Sequence, residues 1–78
     1  MIKVNIRVKG TLKKPFGKAQ MEYSCKPDTT IVELLRELGY VEEHLPFIMA
    51  SVNGELRDHK YEVRENDNIM LFVNVGGG

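Results

Sequence analysis

The sequence predicts an α+β domain in which one main helix packs on one face of a mixed sheet of four to five strands. Residues 2–9 alternate between apolar and polar side chains, which is the period of a half-buried strand. Residues 31–38 carry apolar side chains at positions i, i+3, i+4 and i+7, which is the period of an amphipathic helix. Residues 69–73 are apolar on both faces, as in a central strand.

Two strands joined by a long loop are expected before the helix. The alternation predicts the first strand over residues 2–9. A lysine-rich hairpin loop follows from Gly10 to Lys18, and residues 19–25 resume as a second strand. Side chains alternate along a strand, so one face of the second strand is shared by Met21, Tyr23 and Cys25.

The helix has a start signal and a stop signal. Thr30 with Glu33 three residues later forms a capping box, which predicts a helix start at this point. Gly39 follows the apolar stripe and is the expected C-terminal breaker. Tyr40 is expected to pack over the helix end.

A second hairpin and the last strand complete the sheet. Residues 47–52 form a third strand, and Asn53-Gly54 is a strong hairpin signal because both positions tolerate positive φ. A short fourth strand is expected near Glu55 to Arg57. Because the first and last strands are the most apolar, we predict that they lie side by side and parallel at the centre, with the helix across the back face.

The composition restricts the possible functions. Seventy-eight residues form one small domain with a modest core, too small for a deep catalytic cleft. Cys25 is the single cysteine and is expected to be a small buried hydrophobe; with His44 and His59, expected at the surface, it gives too few ligands for a metal site. No signal peptide or membrane-spanning run is expected, so the protein is predicted to be cytoplasmic, with no membrane partner.

The net charge of zero conceals two oppositely charged halves. Residues 1–26 contain seven basic residues and one acidic residue, a net charge of +6, and residues 27–78 have a net charge of −6. An acidic half that bears the chain end favours docking to a basic partner surface. Nucleic acid is not expected as a partner, because the basic residues alternate with apolar ones and no aromatic residues interleave with them to stack bases.

The sequence ends in three glycines. Glycine lacks a Cβ, so Gly76, Gly77 and Gly78 form the thinnest available backbone, which could enter a narrow channel. We expect a globular domain over residues 1–75 and a flexible tail over residues 76–78 whose terminal carboxylate is the reactive group. Chain ends are also commonly disordered without a function, which is the alternative interpretation.

Three short segments give the sequence a resemblance to a known family. Val52-Asn53-Gly54 at the hairpin, Glu65-Asn66-Asp67 before the last strand and the Val75-to-Gly78 ending resemble the ubiquitin-like sulfur carriers of the MoaD/ThiS family. That family includes the thiamin-pathway carrier and the small subunit of molybdopterin synthase. The resemblance implies a β-grasp, ubiquitin-like fold. The family commonly has a glycine where this chain has Asn66, but asparagine also tolerates the left-handed conformation.

The resemblance implies a carrier rather than an enzyme. The Gly78 carboxylate would be adenylated by an ATP-dependent activating enzyme and converted to a thiocarboxylate, which would deliver sulfur to a synthase. That synthase would be the molybdopterin synthase large subunit or thiazole synthase. The sequence has no phosphate-binding loop, so no cofactor is assigned to this chain, and ATP and magnesium would be held by the partner. Fully extended, residues 74–78 would reach roughly 17 Å from the edge of the sheet, far enough to enter the partner's active site. The free protein is expected to be a monomer.

Two other functions stay open from the sequence. A protein modifier would use the same activated glycine but transfer it to a lysine amine. An inert β-grasp binding module would have glycines without a function. Whether molybdopterin, tungstopterin, thiamin or another product receives the sulfur is also open.

The alternation of the strands predicts an exposed apolar patch beside the root of the tail. If Ile48 and Ile69 point to the helix, the outer face receives Phe47, Met49, Met70 and Phe72. Exposed apolar patches commonly mark interfaces, so these four residues are the predicted partner-binding set. In the alternative, the segment from Arg57 to Asn68 folds over this face and buries it as a second small core.

Overall fold

The first and last strands run side by side in parallel, as the sequence predicts. The computed structural model describes residues 1–73, so the expected domain boundary after residue 75 lies outside it. β1 (Ile2–Val8) pairs with β5 (Asn68–Val73), with Ile6 opposite Ile69. Both strands are therefore central, and both end at the same edge of the sheet.

The other three strands complete a mixed sheet in the order β2-β1-β5-β3-β4. β2 (Gln20–Cys25) is antiparallel to β1, and β3 (Ile48–Val52) is antiparallel to both β5 and β4 (Glu55–Arg57). The predicted first strand ends one residue too late, and the predicted second and third strands begin one residue too early. The last strand begins one residue earlier than predicted. The expected α+β, β-grasp arrangement of strands is otherwise confirmed.

One α-helix, α1 (Ile31–Glu37), crosses a face of the sheet. Its capping box is present: the Thr30 hydroxyl accepts a hydrogen bond from the Glu33 amide, and the Glu33 carboxylate accepts one from the Thr30 amide. The hydrogen bonds that the Thr30 amide and hydroxyl donate to the Glu33 carboxylate lower the pKa of Glu33, because they stabilise its ionised form. The helix ends as predicted, with Gly39 at φ +95°. No helix within residues 1–73 is long and apolar enough to cross a membrane.

The core lies between α1 and the helix-facing side of the sheet. The helix contributes a stripe of leucines and isoleucine, and the strands contribute the residues that alternate inward. Fully buried members from these elements include Val4, Ile6, Ile31, Leu34, Leu35, Ile48, Ala50 and Leu71. Each large aliphatic side chain buried in this way contributes roughly 1.5–3 kcal/mol to folding.

A buried carboxylate links three segments at the start of β5. Asp67 is 5% exposed and lies in the turn before the strand. Its Oδ2 accepts hydrogen bonds from the Tyr61 hydroxyl at 2.9 Å and from the Arg64 amide at 2.8 Å. Its Oδ1 accepts one from the Asn53 side-chain amide at 3.0 Å. Asp67 thereby joins the second hairpin to the segment that precedes β5.

The turn around Asp67 is also tied to the start of β1. Asn66 has a φ of +69°, the left-handed conformation that its sequence position predicts. The Asn66 amide donates to the Lys3 carbonyl at 2.8 Å, and the Asn5 amide donates to the Asp67 carbonyl at 2.9 Å. These bonds set the register in which β5 meets β1.

Replacing Asp67 with alanine should destabilise the fold. The substitution leaves three donors without a partner inside the protein, and a loss of about 2–4 kcal/mol in the free energy of unfolding is expected. Urea denaturation measures it. The matched control is Asp58→Ala, because the exposed Asp58 carboxylate accepts one hydrogen bond, from the backbone amide of the nearby Lys60. Equal losses in the two variants would contradict the role given to Asp67.

Candidate functional site

The predicted reactive tail lies outside the described residues. Gly76, Gly77 and Gly78 therefore remain expectations, and the structure describes the edge from which they continue. β5 ends there at Val73, and β1 ends beside it, with Val8 opposite Leu71. The fold therefore positions the end of β5, from which residues 74–78 continue.

Three of the four predicted partner-binding residues share the outer face of the sheet. β3 and β5 place Met49 directly opposite Phe72 and Ser51 opposite Met70. All three apolar side chains are half-buried. Side chains directly opposite in an antiparallel pair are close enough to touch, so Met49 and Phe72 form a cross-strand apolar pair.

Phe47 lies elsewhere, which corrects its assignment to the third strand. It ends a 3₁₀ turn, Glu42–Phe47, and is 66% exposed. It lines a groove of about 420 Å³ together with Tyr40, Val41 and Val73. The predicted third strand begins one residue too early, because Pro46 and Phe47 both belong to the 3₁₀ turn and the extended strand begins at Ile48.

Leu56 belongs to the outer face and was missed by the sequence analysis. It lies opposite Ser51 in β4 and is 60% exposed. Leu56 and Met49 also line one groove beside His59. The Asn53-Gly54 hairpin could have predicted the position of Leu56, because a two-residue loop fixes which residues of β3 and β4 face each other.

The segment between β4 and β5 does not cover the outer face. The Ile31 amide at the helix start donates to the Tyr61 carbonyl at 2.9 Å, and the Val63 amide donates to the Thr29 carbonyl at 2.8 Å. Val63 is buried in the main core. This segment therefore packs beside the N-terminal end of α1, and the alternative of a second small core is wrong.

Cationic and amide side chains from β1 border the apolar part of the outer face. Arg7 lies opposite Met70, and Asn5 lies opposite Asn68. The side-chain amide of Asn5 donates to the side-chain oxygen of Asn68 at 3.2 Å. A groove of about 240 Å³ on this face is lined in part by Arg7, Asn5, Ser51 and Met70. The outer face can thus receive apolar side chains and a carboxylate next to one another.

The cysteine and the two histidines, which are the candidate metal ligands of the sequence, do not form a site. Cys25 is 1% exposed, as predicted, and burial raises the pKa of its thiol. His44 is exposed, whereas His59 is half-buried with Nε2 2.8 Å from the Ile48 carbonyl oxygen, so its surface assignment is wrong. Within residues 1–73, no group of three or more histidine, cysteine, aspartate or glutamate residues could hold a metal ion.

The loop between β1 and β2 contains an exposed aromatic residue that the sequence analysis overlooked. Phe16 is 67% exposed and adopts φ +52° and ψ +23°. Exposed lysines occur on both sides of it, at Lys13, Lys14 and Lys18. The expectation that no aromatic residue lies among the basic residues is therefore wrong for this loop.

Comparison with known proteins identifies the family. The ThiS family model matches residues 6–78. The chain belongs to the ThiS family. This assignment confirms the ubiquitin-like sulfur-carrier resemblance of the sequence. No curated protein sequence matches the chain significantly.

Several solved structures share the fold of this ThiS-family chain. Small archaeal modifier protein 1 of Haloferax volcanii superposes with a TM-score of 0.73 at 18% identity, over 96% of this chain and 100% of that chain. A chain of the complex of subunits 1 and 2 of the molybdopterin-converting factor from Helicobacter pylori gives 0.64 at 23% identity, over 99% and 100%. A Pyrococcus furiosus protein assigned as molybdopterin converting factor subunit 1 gives 0.76 at 16% identity, over 96% and 100%. These likenesses show the ubiquitin-like β-grasp fold.

Tyr40 fastens the lysine-rich loop to the helix end. It is buried over the end of α1, as predicted, and its hydroxyl donates to the Lys13 carbonyl. Burial raises the pKa of Tyr40 from 10.0 to about 12. Ionisation of the Tyr40 phenol would place a negative charge in a partly buried position and would remove the hydrogen bond that the hydroxyl donates to the Lys13 carbonyl.

The stability of the fold should fall between pH 10 and pH 12. The folded state holds the Tyr40 proton more tightly than the unfolded state, so this contribution is complete below pH 10 and is lost as the pH rises through 12. Urea denaturation at several pH values, with tyrosinate absorbance followed in parallel, measures the effect. Tyr40→Phe should make this alkaline decline smaller, with the remainder coming from Tyr23 and Tyr61, whose pKa values are also raised by burial. An unchanged decline in the variant would refute the assignment.

Proposed function

We propose that this ThiS-family chain is a sulfur carrier that is charged on the carboxylate of Gly78. The observation that carries the proposal is the family match over residues 6–78, which includes the three glycines. The fold supports it, because the central position of β5 makes a stable support from which residues 74–78 continue. The body could then dock to a partner while the chain end enters the partner's active site.

The proposed chemistry has two steps, and both need a partner enzyme. The Gly78 carboxylate attacks the α-phosphorus of ATP, so that pyrophosphate leaves and an acyl adenylate forms. A sulfide equivalent from a sulfur donor then attacks the acyl carbon, AMP leaves, and a thiocarboxylate remains. The first step is needed because a carboxylate is a poor electrophile until an oxygen becomes part of a leaving group. ATP and magnesium are held by the activating enzyme, which supplies positioning and charge neutralisation.

The outer face of the sheet is the proposed docking surface for the body of the domain. It comprises Met49, Leu56, Met70 and Phe72, with Arg7 at its border. Its half-buried methionines suit more than one partner, because their side chains are flexible and polarisable. A carrier needs this property, since it meets an activating enzyme and then a sulfur-accepting synthase. The H. pylori complex of the two converting-factor subunits supports a partner of the second kind.

Conversion of Gly78 to a thiocarboxylate is the direct test. The chain is incubated with ATP, magnesium, its cognate activating enzyme and a sulfur donor, and intact-mass spectrometry should show one oxygen replaced by sulfur. Deleting Gly77 and Gly78, or adding one residue after Gly78, should abolish the change and leave the melting temperature unaltered. An extended variant that is still thiolated at its new end would refute the insertion argument.

A second candidate function is a ubiquitin-like protein modifier. The structural likeness to small archaeal modifier protein 1 favours it. The two functions share the adenylation step and differ in the final acceptor, which is a sulfur-requiring synthase for a carrier and a lysine amine for a modifier. Lysine-linked conjugates accumulating in cells would support the modifier.

The outer face is tested by comparing Met70→Asp with Leu71→Asp. Met70 faces outward and is half-buried, whereas Leu71 on the same strand is fully buried. Met70→Asp and Phe72→Asp should weaken binding to the activating enzyme with little change in melting temperature. Leu71→Asp should cost several kcal/mol of stability, because it buries an unpaired charge. A loss of stability in Met70→Asp as large as in Leu71→Asp would make the outer face a packed surface and not an interface.

A further inference from the structure

The loop from Lys9 to Lys18, here called the lysine loop, reaches the edge of the sheet where residues 74–78 continue. β1 and β5 are parallel, so the loop leaves β1 after Val8 at the edge where β5 ends at Val73. The Lys9 amide donates to the Leu71 carbonyl at 2.9 Å. The fold therefore brings the most basic segment of the sequence beside the root of the tail, although the tail belongs to the acidic half.

The lysine loop is anchored on both sides of Phe16. Leu12 packs against the core, and Pro15 is buried. Tyr40 donates a hydrogen bond to the Lys13 carbonyl, and the Lys18 amide donates to the Pro15 carbonyl at 3.0 Å. The outward position of Phe16 is therefore a property of an anchored loop.

Phe16 adopts this position at a conformational cost. A bulky residue with positive φ is rare, because its Cβ approaches the backbone closely. Backbone strain of this kind is concentrated at binding and catalytic sites. A glycine or asparagine would adopt φ +52° more easily, and neither would expose an aromatic ring to solvent.

The charges around Phe16 favour a protein partner over a nucleic acid. Exposed lysines precede and follow a single exposed ring in the sequence of this loop, which fits an apolar pocket bordered by carboxylates. A nucleic acid is a long polyanion, and its approach would be opposed by the remainder of the chain, which carries a net charge of −6 over residues 27–78. Carboxylates confined to one pocket avoid this repulsion, because salt screens charges beyond about 10 Å.

We propose that the lysine loop is a docking anchor for the activating enzyme that takes up residues 74–78. Phe16 fills an apolar pocket beside the entrance for the chain end, and Lys13, Lys14 and Lys18 contact carboxylates at the rim of that pocket. This inference rests on the proposed function. It adds a second contact, separate from the outer face, that sets the direction in which the chain end enters the partner.

The test is the affinity of the Phe16→Asn variant for the activating enzyme. Asparagine tolerates positive φ, so the melting temperature should be unchanged or higher. The dissociation constant, measured by calorimetry, should rise about tenfold or more, as for an aromatic anchor at an interface. Phe16→Trp is the matched control that keeps an aromatic ring and should retain most of the affinity.

The lysines are tested by the triple variant Lys13→Gln, Lys14→Gln and Lys18→Gln. It should lower the association rate and the salt dependence of binding, because these charges steer the encounter. Lys60→Gln is the control, since Lys60 is exposed in the segment beside the helix. An equal effect of Lys60→Gln would overturn the assignment of the lysines to the contact.

The remaining outcomes separate the inference from the proposed function. If Phe16→Asn binds the activating enzyme as the unchanged chain does and is thiolated normally, the inference is overturned and the proposed function stands. If the unchanged chain is neither bound nor thiolated, both are overturned. If single-stranded RNA binds the unchanged chain and not Phe16→Asn, the partner is a nucleic acid and the protein-docking inference is wrong.

Discussion

The parallel pairing of β1 with β5 is the constraint on which the rest of the structure depends. Parallel neighbours cannot be joined by a tight turn, so the chain between β1 and β5 must include a crossover from one side of this pair to the other. α1 makes the crossing, and its apolar stripe covers the inward side of the two central strands. The pairing also brings the ends of β1 and β5 to one edge. The lysine loop and the start of the chain end are neighbours for this topological reason, although they lie in oppositely charged halves of the sequence.

Register in this central pair is held by polar atoms as well as by packing. Asp67 and Asn66 fix where β5 begins relative to β1, and a shift of one residue would exchange its inward and outward faces. Leu71 would then face solvent and Met70 would enter the core. The backbone bonds of Asn66 and Asp67 to β1 keep Met70 on the outer face, and the Asp67 carboxylate holds the turn in which these bonds are made. Stability and recognition are linked at this turn, because the same hydrogen bonds determine which side chains a partner meets.

The sequence predicts the fold well where a local pattern has one physical solution. Alternation gives the strands, the Thr30–Glu33 box gives the helix start, and Asn53-Gly54 gives the hairpin. The outer-face position of Met70 follows from the same alternation. What escaped prediction depends on contacts between distant parts of the chain. Burial of Asp67 needs Asn53 and Tyr61 around it, and nothing local distinguishes it from a solvated turn aspartate. The loop that exposes Phe16 is likewise held by a contact between distant residues, the hydrogen bond from Tyr40 to the Lys13 carbonyl.

The burial of Cys25 determines which sulfur atoms of the folded protein can react with a reagent in solution. Its thiol is the only one in the sequence, it is 1% exposed, and burial raises its pKa, so the folded protein offers almost no reactive thiolate there. A thiol-specific reagent added to the native chain would therefore find little to modify until sulfur is acquired elsewhere. After unfolding, the same reagent would count one further thiol. The core thus gives the molecule an internal reference against which a newly added sulfur atom can be measured.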